Sequence, residues 1–181
     1  TKFKAFNIRN AGIDWNTAHM RDGLMHRAVR KTHIDIMDHE SCVVFLNGQY
    51  WGVYEIRERQ DKYYIQENHG IDPGKIDLLR FYGEPQEGSN EGFLDMVDYI
   101  SNNDMALAAN YDSVKKMIDI PNFCDYFTTE VYYNNQDWLG NNIKFWRPTN
   151  PPGKCRYILL DTDGGLGLFG TVRDNLLDDV A

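Results

Sequence analysis

Apolar and polar positions alternate over residues 3–8, FKAFNI, which predicts a strand, and Asn10-Ala11-Gly12 then turns the chain. From Asn16 or Thr17, either of which can cap a helix, the period lengthens. Met20, Leu24, Met25, Ala28 and Val29 share one face, predicting a helix to about Lys31. Two strand-like runs follow, 42–46 and 49–57, separated by Asn47-Gly48. That dipeptide is a strong hairpin signal, because a type I′ turn needs positive φ at both central positions. A short helix is predicted over Asp61–Asn68, stopped near Gly70, and a strand over 75–81. Residues 83–92 read as loop, rich in Gly, Glu, Pro, Gln, Ser and Asn. Helical stretches are predicted over about 92–100 and 112–118. A longer one starts with Pro121 in its first turn, with Asp119 or Ile120 as cap, and runs to about Tyr133. Phe123, Cys124, Phe127 and Val131 give it an apolar stripe. Strands are predicted over 143–147 and 154–161 around the turn PTNPPG, while 171–181 carries no clear pattern.

Composition narrows the class. With 181 residues, 42% of them hydrophobic and 13% aromatic, the chain has room for one domain with a sizeable core. Nineteen basic against 27 acidic residues give a net charge of −8, which argues against non-specific binding to nucleic acid or anionic membranes. No apolar run approaches the ~18 residues of a membrane span. The chain opens inside a strand-like stretch and reads as an excised fragment, so the missing leader decides nothing about compartment. Cys42, Cys124 and Cys155 are odd in number and widely spaced; they imply no disulfide or metal framework and are expected as buried thiols.

The candidate chemistry lies between Asn134 and Gly167. Asp137 sits in a polar loop, Asn142 follows five residues later, and the predicted hairpin ends at Asp161 and Asp163. The D-x-x-x-x-N spacing is that of a kinase catalytic loop, in which the aspartate takes the proton of the attacking hydroxyl and the asparagine holds Mg²⁺. Taken alone, the pair reads first as a turn, since Asp and Asn favour turns and caps. Asp161 and Asp163 strengthen the phosphotransfer reading, because Mg²⁺ takes few protein carboxylates and completes its shell with water and phosphate. Arg57, Glu58 and Arg59 leave the first hairpin where a nucleotide hinge would lie; paired surface charges are the plainer reading of each arginine.

Three other patterns carry little. Gly165, Gly167 and Gly170 match G-x-G-x-x-G without the helix and later acidic residue that it needs. An EF-hand opened by Asp161 and Asp163 would place Leu166 at its glycine and Val172 at its bidentate glutamate. A Ca²⁺-binding structural loop over 161–167 stays open as a third reading. His19, His26 and His33, seven residues apart, would lie about 10 Å from one another along a helix, too far to share an ion.

The stretches FNIRNAGIDWNTAHMRDGLMHR, VFLNGQYWGVYEIRERQDKYY, PNFCDYFTTEVYYNNQDWLGNNIKFWR and RYILLDTDGGLG together resemble the spore coat protein H (CotH) kinase family. The resemblance implies an α+β, atypical protein-kinase-like fold, with a partial β-containing small lobe over about 1–60 and a mainly helical second lobe over about 61–181. It implies transfer of phosphate from ATP, with Mg²⁺ or Mn²⁺, to Ser or Thr hydroxyls of a protein substrate at a cell surface, in secretion or in a spore coat. The alternative is a non-catalytic surface or assembly module that keeps the fold. By motif, Asp137 would be the catalytic aspartate, Asp161 or Asp163 the metal-binding one, and Asn142 a further ligand. Glu58 matches an acidic position after the hairpin. The family's upstream strands and phosphate-contacting lysine are not evident. Lys2 or Lys4 would have to stand in, and Asp22 is the only acidic residue that the predicted helix offers as its partner, so the fragment is expected to be incomplete alone.

Overall fold

The computed structural model describes residues 4–171 and 173–179, so Lys2, Phe3 and Val172 fall outside it. Within the described residues the fold is mixed α/β, with two antiparallel sheets and five helices. None of these helices is long and apolar enough to cross a membrane.

The first sheet holds β1 (Phe6–Arg9), β2 (His39–Leu46) and β3 (Gln49–Glu58) in the order β1-β3-β2. The β2–β3 hairpin closes at Asn47 and Gly48, whose φ values of 51° and 80° meet the positive-φ demand of the predicted turn. Between the first two strands lies α1 (Arg21–Ala28), shorter than the predicted helix. Residues Gly12–Asn16 form a 3-10 turn instead, and His19 has φ 63°, which interrupts any helix begun at Thr17. The backbone N–H of Arg21 donates 3.0 Å to Asp14 Oδ2, so α1 is capped from Asp14 rather than from Asn16 or Thr17.

The second sheet has the order β5-β4-β6-β7, from β4 (Ile76–Arg80), β5 (Glu84–Glu87), β6 (Lys144–Pro148) and β7 (Arg156–Ile158). Around it stand α2 (Lys62–His69), α3 (Glu91–Asn102), α4 (Ala108–Met117) and α5 (Ile120–Tyr133). The part after residue 61 therefore carries four strands as well as four helices. Helix α2 is capped by Asp61, which accepts from Tyr63 N and Tyr64 N, and stops at Gly70 with φ 70°. Asp119 caps α5, with proline in the first turn, as the sequence predicts.

Ile76, Leu78, Leu79, Phe145, Trp146, Ile158 and Leu159 are all buried, and helices pack on both sides of them. Asp35 ties this core together: it accepts from Trp146 Nε1 at 2.8 Å and pairs with Arg156 at 2.7 Å. Of the three cysteines only Cys155 is buried. Cys124 is exposed and Cys42 intermediate, because the helix and strand that carry them turn those positions outward.

Candidate active site

Helix α5 ends at Asn134, which takes a left-handed conformation (φ 50°, ψ 50°) and caps the helix with its own N–H. The chain then enters the loop of Asp137. Asn142, also at positive φ and almost fully buried, donates from Nδ2 to Asp137 Oδ2 at 2.9 Å. The same amide reaches the carbonyl of Asp161 at 3.4 Å, so the D-x-x-x-x-N pair is in contact and touches the acidic turn. Asn141 adds longer contacts to Asp137 at 3.3 and 3.4 Å.

The acidic turn departs from the predicted strand 154–161. Strand β7 stops at Ile158, Asp161 has φ 51°, and Thr162–Gly164 form a 3-10 turn. Asp163 is only 3% exposed. Burial and the neighbouring Asp161 charge push its carboxyl up to about 6, against the opposing pull of Arg9. A β-carbon on Gly164 would stand 2.8 Å from Asn135 Oδ1 and 3.1 Å from Asp137 Cβ, so this turn is pressed against the Asp137 loop.

Arg9 holds the two aspartates together. Its Nη2 pairs with Asp161 Oδ1 at 2.5 Å and with Asp163 Oδ2 at 2.6 Å. Asp22 on α1 secures the turn from behind, accepting from Thr162 N at 2.6 Å and Thr162 Oγ1 at 2.8 Å. Asp22 also pairs with Arg57 on β3. Its burial would raise the carboxyl, but His26, Arg57 and Arg9 hold it far below the usual range.

A cleft of about 590 Å³ opens between the sheets, lined among others by Arg9, Arg57, Glu58, Arg59, Lys144 and Asp161. The sequence-predicted hinge residues thus reach one cleft with Asp161, in different states. Arg57 is buried and committed to Asp22 and Glu55; its Nε donates 2.8 Å to Glu55 Oε2. Glu58 accepts from Asp38 N at 2.9 Å. Arg59 is exposed and 3.6 Å from Asp61. Lys4 lies 5.6 Å from the centroid of the Tyr63 ring and outside the lining of this cleft.

Arg9 and Lys144 are the cations that sequence reasoning missed. Lys144 donates to the Gln60 carbonyl at 3.1 Å, and burial lowers its pKa although Asp61 opposes this. No local motif marks either residue: the carboxylate partners of Arg9 lie 152 and 154 positions away.

Among the described residues no group of three or more His, Cys, Asp and Glu side chains stands ready to hold a metal. The donor set is instead two carboxylates, Asp161 and Asp163, with the Asn142 amide beside them, the carboxylates already gathered around a cationic nitrogen. This fits Mg²⁺, which takes one or two carboxylates and relies on phosphate and water for the rest. Within 161–167 the carbonyls of Gly165 and Leu166 accept from Arg21 Nη1 at 3.2 and 2.6 Å.

A search of the curated proteins finds no match. The family described as CotH kinase protein matches residues 2–178, nearly the whole chain. A match over nearly the whole chain shows the family, and the chain belongs to the CotH kinase protein family.

Proposed function

We propose that this domain transfers the γ-phosphoryl group of ATP to a Ser or Thr hydroxyl of a protein substrate. Residues about 1–60 would form the small-lobe part and about 61–181 the second-lobe part of a kinase-like fold. The observation that carries the reading is the Asn142 amide, which touches both Asp137 and the Asp161 carbonyl and so joins the proton acceptor to the metal side of the site. Asp137 orients the hydroxyl and takes its proton as the new O–P bond forms and the bond to ADP breaks. Asn142, Asp161 and Asp163 would hold Mg²⁺ or Mn²⁺, which would supply charge neutralisation at the phosphate oxygens. The nucleotide lies in the cleft, where Arg59, Glu58 and the Arg57 ion pairs form one wall and Arg9 and Lys144 supply positive charge. The CotH family name supports a protein substrate at a surface, in secretion or in a coat.

The test is incorporation of labelled phosphate into protein from γ-labelled ATP with Mg²⁺. Asp137→Ala is expected to lower it by about 10²–10⁴-fold, the usual contribution of a positioned base. Undiminished incorporation by that variant overturns the mechanism.

One observation favours a second reading, a non-catalytic assembly module: the hairpin end of the first sheet exposes Val43, Phe45 and Val53 on one face. Such a module would show no stabilisation by millimolar ATP and Mg²⁺, whereas a nucleotide site raises the melting temperature.

A further inference from the structure

Glu130 is completely buried near the end of α5, where an apolar side chain would be the stable choice. Its Oε1 has no partner among the described residues, while its Oε2 accepts from Asn135 Nδ2 at 2.8 Å. Asn135 is also completely buried and is held on four sides. Its backbone N–H reaches the Glu130 carbonyl at 3.2 Å, its carbonyl accepts from Trp138 N at 3.1 Å, and its Oδ1 faces the N–H of Asp137 at 3.4 Å. The same Oδ1 is the atom that a β-carbon on Gly164 would strike. One amide oxygen therefore stands between the backbone of Asp137 and the acidic turn.

We infer that Asn135 is a positioning residue, locked in orientation by Glu130, that fixes Asp137 against the 162–164 turn. The inference rests on the reading of Asp137 as the proton acceptor. Because the Glu130 contact determines which way the Asn135 amide points, Oδ1 is turned to Asp137 and Nδ2 away from it. Loss of that contact frees the amide to rotate and loosens the geometry between base and phosphate. Displacement of about 1 Å in a reacting geometry is enough for losses on the order of 10²-fold.

The test compares Glu130→Gln, Glu130→Met, Asn135→Ala and the Met/Ala double variant in the full chain, with Asp137→Ala alongside. Glu130→Gln keeps an acceptor oxygen toward Asn135 and is expected to keep kcat. Glu130→Met and Asn135→Ala are each expected to lower kcat by about 10–10²-fold. KM for ATP and the thermal shift given by ATP should stay unchanged. Because both act through one contact, the double variant is expected to lose no more than Asn135→Ala alone. A folded Glu130→Met protein with wild-type kcat overturns the inference, and so do losses that multiply in the double variant. Failure of Glu130→Met to fold also overturns it, by showing that the pair maintains the fold rather than the site. An active Asp137→Ala protein would instead sink the underlying mechanism, so the two failures are distinguishable.

Discussion

The two sheets are built to opposite rules. In the second, the buried strand positions are apolar apart from Asp77, which pairs with Arg147: Leu78, Leu79, Phe145 and Trp146 lie between helices. In the first, Glu55 and Arg57 are the buried side chains of β3, both on one face, while Val53 further along that face and Ile56 on the other are 43% and 42% exposed. Alternation is present in both, but the first sheet turns its charged side to the interior. Buried ion pairs seldom add stability relative to apolar packing, and removing one partner is strongly destabilising. The second sheet holds the molecule together, whereas the first carries charge to the cleft.

The largest effect should come from breaking each rule at its centre. Arg57→Met leaves Asp22 and Glu55 buried without their cation and should destabilise by about 3–5 kcal/mol. Phe145→Ala, in the apolar sheet, should cost a similar amount, about 3–5 kcal/mol, through its cavity. Chemical denaturation measures both. The comparison predicts that Arg57→Met also abolishes the thermal shift given by ATP, while Phe145→Ala retains it; equal nucleotide responses would erase the distinction.

A smaller effect should come from Glu130, a buried acid with no cation beside it among the described residues. Burial raises its carboxyl to about 8 from an ordinary value near 4.5, so the folded protein keeps a proton that the unfolded chain releases. Between those values the unfolded state binds fewer protons, and stability falls as pH rises. Glu130→Gln removes this dependence. Its gain over wild type should be near zero at pH 4 and grow to a few kcal/mol at pH 8, measured by urea midpoints across that range. A gain that stays flat with pH would mean that Glu130 is already solvated or paired. The smallest effect belongs to the exposed end of β3: Val53→Thr should change stability by no more than about 0.5 kcal/mol, since that side chain is 43% exposed.

What could be read from the sequence follows the same division. The Asn47-Gly48 hairpin, the Asp61 and Asp119 caps and the Gly70 stop depend on local backbone chemistry, and they stand where the pattern put them. The helix expected to run to Lys31 ends at Ala28, because its stripe was not a core stripe: Met20 and Leu24 are exposed and only Met25 is deeply buried. Strand β5 was hidden in a loop-like composition because it is an edge strand, where Pro85 is tolerated. Within the site, Asp137 and Asn142 were visible as a spacing and prove to touch. Arg9, Lys144 and the Glu130–Asn135 pair were not visible. Arg9 depends on a partner 152 residues away, and a buried acid looks in sequence like one more surface glutamate.

Asp22 has a consequence for movement. A single carboxylate holds the backbone of Thr162 with one oxygen and the guanidinium of Arg57 with the other. The acidic turn and the third strand therefore cannot slide independently, since shifting either pulls on the same group. Any opening of the cleft then falls to its rim, where exposed Arg59 meets Asp61 at 3.6 Å, while the floor travels as one piece.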